Sequence, residues 1–374
     1  MQQPIQVLGA LLGGPERSGA GQPTALLPFS GPPPAEHPGE DREWLDPVFV
    51  SFAARSGSTL TRFLLDAHPD LACPPETNLP DLCARLARMR SLLTATPTAA
   101  SLDEPVEVQG SVAAGIRRTV GMMIEPYLAK RGKQRYCDKS LHVAKHGELL
   151  LRVFPRARFM CLYRHPMDVI ASGIEACPWG LKDFGFDPYA AGSPGNSVLA
   201  IARYWADYTA TALALEEKYP ERCHRVRYED LVTDPETTAS GIFEFIGVPQ
   251  APGISASCFA PDRERLGRGD FKIWNTSKIS ADSVGRGWSV PAFQIDPTVT
   301  ARLNELSDRL GYARIERSWG AGPAPGDLRV PGGGQAAKPP AAGPAATRPM
   351  PFALPLPGEH PRRQNRCPGQ DRAG

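Results

Sequence analysis

The chain has 374 residues, of which 41% are hydrophobic, and a formal net charge of +2. This length suits one large folded domain or two small ones, and the small charge excludes a general attraction to nucleic acid or membranes. Apolar runs stay below the roughly 18–20 residues that span a bilayer, and we expect no signal peptide. The eight cysteines are scattered without a CxxC pair, so we expect no metal site, no dense disulfide framework and a cytoplasmic location.

Proline and glycine, 40 and 36 residues respectively, crowd toward both ends of the chain. Residues 1–43 and 319–374 show little periodicity and bury too little apolar surface to offset their ordering entropy. Both segments are therefore predicted to be disordered tails. The folded domain is predicted to span residues 44–318.

Between the tails, short apolar runs alternate with helical stretches. Strands are predicted at 47–52, 135–138, 159–163 and 222–228. Helices are predicted at 59–67, 79–93, 141–153, 166–176, 197–219 and 237–246. This alternation predicts an α/β fold in which helices flank a mostly parallel sheet. Ligands of such folds bind at the carboxyl ends of the strands.

The segment between the first predicted strand and helix has the features of an anion-binding loop. Backbone N–H groups at a helix N-terminus point at one place, which suits a phosphate or a sulfate. Glycine allows close approach, arginine supplies a delocalised charge and hydroxyl groups add donors. The candidate residues are Arg55, Ser56, Gly57, Ser58 and Thr59. No lysine precedes Ser58 and Thr59, so this is not the GxxxxGK[ST] loop of nucleoside triphosphatases.

A second anion site is predicted after the strand at 159–163. Arg164 stands at the end of that strand, and Ser172 lies eight residues further, two turns along the next helix. An arginine and a hydroxyl placed in this way can hold a phosphate from two sides.

Two strand–loop–helix units in this order resemble the sulfotransferases that use 3′-phosphoadenosine-5′-phosphosulfate (PAPS), in particular the bacterial enzymes and the tyrosylprotein sulfotransferases. The resemblance runs from about residue 47 to 288. Its motifs are RSGSTL at 55–60, LDAHPD at 65–70, PET at 75–77, DK at 138–139, YEDL at 228–231 and GRGW at 285–288. It implies a P-loop-like parallel sheet flanked by helices, the sulfotransferase fold.

The resemblance also implies how PAPS would be held. The first loop would take the 5′-phosphosulfate, and Arg164 with Ser172 would take the 3′-phosphate. Tyr228 would lie beside the nucleotide. Ser277 would donate to sulfuryl or phosphate oxygens, and Arg286 would belong to a loop that closes over the phosphates.

Sulfuryl transfer resembles phosphoryl transfer, so it requires positioned cations and a base. The resemblance gives Arg55 and Lys139 the cationic role and Glu76 the role of base. His142 is the alternative base, because cytosolic sulfotransferases carry a histidine two residues beyond the corresponding lysine, and His142 lies three beyond Lys139. With two cations at the reacting group, we expect no metal requirement.

The acceptor is expected to be a hydroxyl of a small metabolite or natural product, bound near 176–196, where Trp179 would pack or line the pocket. Asn78 stands where the tyrosylprotein enzymes carry a substrate-contacting arginine, which disfavours an acidic tyrosine peptide. Cys73 and Cys137 match a pair that is bridged in those enzymes; neighbouring thiols are expected here, with a disulfide left open. A P-loop kinase and a silent nucleotide-binding scaffold are the competing functions. No nucleic-acid or membrane partner is expected, and the sequence does not indicate the oligomeric state.

Overall fold

A computed structural model of the chain describes residues 46–94, 110–259 and 276–320. The predicted tail at 1–43, and residues 321–374 of the other predicted tail, lie outside these ranges. The described part of the predicted domain is built around one sheet.

The sheet has five strands, and every neighbouring pair is parallel. The strands are β1 (Val48–Phe52), β2 (Leu71–Ala72), β3 (Arg135–Asp138), β4 (Arg158–Tyr163) and β5 (Cys223–Arg227), in the spatial order β2-β3-β1-β4-β5. Phe49 of the central strand pairs with Asp138 on one side and Phe159 on the other. The predicted parallel α/β fold is confirmed.

Eleven α-helices lie in the described residues. They are α1 (Ser58–Ala67), α2 (Leu79–Thr94), α3 (Gly110–Arg131), α4 (Gly147–Val153), α5 (Pro166–Ala176), α6 (Asp187–Ala191), α7 (Ser197–Lys218), α8 (Tyr228–Thr233), α9 (Pro235–Ile246), α10 (Ile254–Ser257) and α11 (Pro297–Leu310). None of these helices is long and apolar enough to cross a membrane.

Two predicted boundaries are wrong. The helix expected at 141–153 begins only at Gly147, because 141–146 form successive turns in which His146 N–H reaches the carbonyls of both His142 and Val143. The fourth predicted strand ends at Arg227, and Tyr228 already begins α8.

Both faces of the sheet are covered, which explains why β1 is apolar at almost every position. On one face, Phe49 stacks on Phe159 with ring centroids 5.6 Å apart, beneath residues of α3 and α7. On the other face, Val48 and Val50 pack with residues of α1 and α9. The rigid sheet thereby fixes the carboxyl ends of its strands, where the predicted motifs lie.

The seven cysteines in the described residues are free thiols. Cys73 and Cys137 are buried, and burial together with a hydrogen bond from the Cys137 thiol to Cys73 raises the pKa of Cys137 well above its ordinary value. The expected neighbouring thiols are therefore present, without a disulfide between them.

The segment after α11 packs back onto the start of α5. Trp319 is buried one residue beyond the predicted domain end, and its ring stacks on His165 with centroids 5.1 Å apart. Its indole N–H donates to the carbonyl of Gly287 at 3.0 Å. Folded contacts therefore extend to residue 319.

His165 is expected to make the fold sensitive to acid. Burial lowers the pKa of His165 to about 4, whereas an unfolded histidine titrates near 6.5. Between these values the unfolded chain binds more protons, so stability falls as the pH falls through this window, by roughly 3 kcal/mol from this residue. Urea unfolding from pH 7 down to about pH 4 measures the slope, and His165→Gln should remove most of it. Equal slopes in the two proteins would contradict this assignment.

Candidate active site

Four parallel strands are each followed directly by a segment with a predicted functional side chain. The loop 53–57 follows β1, Lys139 follows β3, Arg164 follows β4 and Tyr228 follows β5. Because the carboxyl ends of parallel strands meet at one edge of a sheet, these residues share one region of the molecule.

The loop 53–57 is shaped by a close approach between Gly57 and Tyr228. Gly57 caps α1 with φ +91°, and a Cβ atom at this position would lie 2.3 Å from Cδ2 of Tyr228. Only glycine therefore fits beside this ring. Arg55 also has a positive φ, +70°, which is uncommon for a residue with a side chain.

The loop leaves one buried hydroxyl group ready for a ligand. Ala54 N–H donates to the hydroxyl of Tyr204 at 2.8 Å, which ties the loop to α7. The Oγ atom of Ser56 is buried and has no hydrogen-bond partner among the residues that the structure describes. Buried polar atoms are rarely left unpaired, so this orphaned hydroxyl group fits an anion bound at the N-terminus of α1.

The second predicted site lies against the first. Arg164 is buried, and its guanidinium donates to the backbone carbonyls of Arg55 at 3.0 Å and Ser283 at 2.6 Å. It also lies 4.4 Å from the ring centroid of Tyr228. Ser172 accepts a hydrogen bond from Nε of Arg55 at 3.2 Å. The structure thus brings Arg55, Gly57, Arg164, Ser172 and Tyr228 together.

Glu76 and Lys139 form an ion pair beside this region. Nζ of Lys139 contacts Oε1 of Glu76 and lies 5.4 Å from the ring centroid of Phe52 on β1. The Lys139 side chain is 5% exposed, whereas that of Glu76 is 38% exposed. The pair therefore has a buried cation and a carboxylate that opens to solvent.

A buried network positions the loop that carries Glu76. Thr77 donates from Oγ1 to Asp138 at 2.5 Å, and the N–H of Asn78 donates to Oγ of Ser140 at 3.1 Å. Burial raises the pKa of Asp138, although hydrogen bonds from Thr77 and Ser140 act in the opposite direction. The motif at 75–77 is thereby tied to the end of β3.

His142, the alternative base, belongs to a His–Asp–His cluster. Its Nδ1 lies 2.8 Å from Oδ2 of Asp81, and Nε2 of His146 lies 3.2 Å from Oδ1 of the same residue. Burial alone would raise the pKa of Asp81, but the hydrogen bonds from both histidines hold it well below its ordinary value. Of the two candidate bases, Glu76 is the one that contacts Lys139.

The glycine-rich loop at 285–287 docks on the first turn of α5. The N–H groups of Gly285 and Gly287 donate to the buried carboxylate of Asp168 at 2.9 and 2.6 Å. Arg286 is exposed and pairs with Glu175 at 3.0 Å, three residues beyond Ser172. Ser277 is exposed in the segment that begins at 276, and its role as a donor to sulfuryl or phosphate oxygens stays a prediction.

One aromatic side chain, that of Phe184, lies beside Arg55. The ring of Phe184 has its centroid 5.1 Å from the guanidinium carbon of Arg55 and is held by a backbone with φ +63°. Trp179 is 94% exposed, so the expectation that it packs in the core is wrong, and a place beside an acceptor stays a prediction.

Sequence reasoning missed several residues that position the site. Tyr204, Asp168 and Phe184 act through contacts with residues 117 or more positions away in the chain, and no short sequence motif predicts these contacts. Asp168 carried one usable signal, since a carboxylate in the first turn of a helix often binds backbone N–H groups.

Comparisons with known proteins agree with this geometry. The sequence model of the Sulfotransferase family matches residues 47–252, more than half of the chain. A protein-tyrosine sulfotransferase of Drosophila melanogaster is 27% identical over 212 residues, which cover 54% of this chain and 38% of that protein. Nodulation protein NoeE of Sinorhizobium fredii is 27% identical over 280 residues, which cover 71% of this chain and 65% of that protein. The chain therefore spans less than two thirds of the length of these relatives.

Among solved structures, the sulfotransferase domain from the curacin biosynthetic pathway superposes with a TM-score of 0.52 at 20% identity. The superposition covers 72% of this chain and 99% of that domain. The fold is therefore a sulfotransferase fold.

Proposed function

The chain belongs to the Sulfotransferase family, and from this premise we propose that it transfers a sulfuryl group from PAPS to a hydroxyl group of a small metabolite or natural product. The observation that supports the proposal is the adjacency of the two predicted anion sites at the carboxyl edge of the sheet. Arg55 lies in the first site and donates to Ser172 of the second at 3.2 Å. A donor with a 5′-phosphosulfate and a 3′-phosphate has anionic groups for both sites.

The residues present fit such a donor. The first loop offers the N-terminus of α1, the orphaned Oγ of Ser56 and the guanidinium of Arg55, which suit a phosphosulfate group. The second site offers Ser172 and the Nε of Arg164, a buried donor without a partner in the described part of the chain. The ring of Tyr228, between Gly57 and Arg164, would contact the nucleotide.

Three side chains would carry the chemistry. In-line transfer develops negative charge on the peripheral and leaving oxygens, and Arg55 and Lys139 supply positive charge beside the first loop. Glu76 would accept the proton of the acceptor hydroxyl group. Its contact with Lys139 fixes the orientation of the carboxylate before an acceptor arrives, which is the preorganisation that lowers a catalytic barrier.

The proposed acceptor class rests on exposed apolar side chains in the segment 174–184, which ends at the Phe184 ring beside Arg55. Phe184, Ile174 and Trp179 expose apolar surface in one stretch of the chain, and such surface favours a partly apolar acceptor over a highly charged one. Asn78 adds no positive charge for an acidic peptide. Consumption of PAPS measured across alcohols, phenols, carbohydrates and a tyrosine peptide tests this class. Turnover confined to the acidic peptide would contradict it.

The donor proposal predicts selective nucleotide binding. The product nucleotide, 3′-phosphoadenosine-5′-phosphate, is expected to stabilise the fold by roughly 2.7 kcal/mol at about a hundred times its dissociation constant. ADP should stabilise it much less, because it lacks the 3′-phosphate that Ser172 and Arg164 would bind. Thermal unfolding with each nucleotide measures the difference. Equal shifts would refute the assignment of the second site.

A further inference from the structure

Arg164 joins three segments of the chain that are far apart in sequence. Its side chain comes from the end of β4, its two terminal nitrogens donate to the carbonyls of Arg55 and Ser283, and its plane lies against Tyr228 after β5. The residue is only 5% exposed. All of these contacts are between protein groups.

One of the bonded carbonyls belongs to a residue in an unfavourable conformation. Arg55 has φ +70°, and a non-glycine residue keeps such a backbone only where its surroundings hold it. The bond from Arg164 to the Arg55 carbonyl, at 3.0 Å, is charge-assisted and therefore strong. It holds the backbone from which the Arg55 side chain reaches Ser172 and the ring of Phe184.

The two loops that Arg164 contacts have other hydrogen bonds as well. The loop 283–287 is also held by Asp168, which accepts hydrogen bonds from Gly285 and Gly287. The loop 53–57 is also held by the hydrogen bond from Ala54 to Tyr204 and by the turn from Ser56 N–H to the Ala53 carbonyl. The bond from Arg164 adds a contact at the Arg55 carbonyl itself, so loss of Arg164 should loosen 53–57.

We propose that Arg164 is a positioning residue for the first loop, in addition to any contact with a 3′-phosphate. A guanidinium has five N–H donors, so bonds to two carbonyls leave others for a ligand. Arg164 thereby sets the Arg55 backbone in the free protein, and the two anion sites are organised by a single side chain. The catalytic consequence rests on the proposed function, but the positioning itself does not.

Hydrogen exchange of the nucleotide-free protein tests the positioning directly. In Arg164→Ala and Arg164→Lys, exchange in a peptide spanning 53–60 should rise at least about tenfold, the change expected for the loss of one charge-assisted hydrogen bond. The lysine variant keeps the charge but cannot serve two carbonyls in the planar geometry of arginine. Exchange in β1 and β4 should stay as in the wild type, which shows that the sheet is intact.

Arg227 offers a matched control at the next strand. Its guanidinium lies 4.6 Å from the ring centroid of Tyr312 and donates to the carbonyl of Gly311 at 3.1 Å. Arg227→Ala should raise exchange near Gly311 and leave 53–60 unchanged. Wild-type exchange at 53–60 in both Arg164 variants would overturn the proposal.

Kinetics then separate positioning from binding. With PAPS, Arg164→Lys should lower kcat at least about tenfold at saturating donor, because a displaced Arg55 acts on the reaction itself. A rise in KM alone would overturn the catalytic role of the positioning. If the wild type turns over no PAPS, the proposed function fails, while the exchange measurement still decides what Arg164 does.

Discussion

Turnover of Glu76→Gln is expected to fall by about 10²–10⁴-fold, the usual effect of removing a general base. Glutamine preserves the size of the side chain and an oxygen that Lys139 can contact, whereas it cannot accept the proton of an acceptor hydroxyl group. Affinity for 3′-phosphoadenosine-5′-phosphate should be retained, because Glu76 contacts Lys139, whereas Arg164 and Ser172 are bonded to Arg55 and Ser283. Steady-state kinetics with PAPS and titration calorimetry with the product nucleotide measure the two effects separately.

The ion pair between Glu148 and Lys218, which joins α4 to α7 at 2.6 Å, provides a control for the loss of one carboxylate. Glu148→Gln should leave kcat near the wild-type value. His142→Ala should cost much less than Glu76→Gln, because His142 is engaged with Asp81. Near-wild-type turnover in Glu76→Gln with a collapse in His142→Ala would move the role of base to the histidine.

Lys139→Met is expected to lower kcat by about 10²–10³-fold, the range observed when one group that stabilises transition-state charge is removed. The lysine is almost fully buried, so its charge acts at low dielectric, where an electrostatic contribution is larger than in water. Methionine keeps much of the apolar stem against Phe52, which limits the loss to the charge. The measurement is kcat at saturating PAPS.

Lys218→Met, in the ion pair with Glu148, is the matched control and should leave kcat nearly unchanged. An effect of Lys139→Met on the KM for PAPS with an unchanged kcat would show that the lysine binds donor and transition state equally. Its assignment as a catalytic cation would then be wrong.

Four of the five strands and the positions of the loops after β1 and β4 could be predicted, because their signals are local. The apolar run at 47–52, the glycine before α1 and the strand that ends at Arg164 each fit within about ten residues. Strand β2 could not be predicted, since two residues carry no pattern and Leu71 joins the sheet only through its pairing with Arg135. Helix α3 was missed as well, because it contains Pro126 and has a weak apolar face.

The contacts within the site could not be predicted from the sequence, for a different reason. Ser283 offers only its backbone carbonyl to Arg164, and a carbonyl has no sequence signature. Phe184 contacts Arg55 from a backbone with positive φ. The loop sequence around it does not predict that conformation. The pairing of Arg286 with Glu175 depends on how the late basic loop docks on α5, and the closure of that loop over phosphates stays a prediction.

Transfer of radioactive sulfur from labelled PAPS to an acceptor is the most direct test of the proposed sulfuryl transfer. The reaction would be run with a mixture of hydroxylated acceptors in buffer that contains EDTA, beside a parallel reaction with labelled ATP and Mg²⁺. We expect acceptor-dependent incorporation of sulfur under chelation, lowered at least about a hundredfold in Lys139→Met and in Arg55→Ala, and no transfer of phosphate from ATP. Phosphate transfer that requires Mg²⁺, with no sulfur incorporated from PAPS, would contradict it.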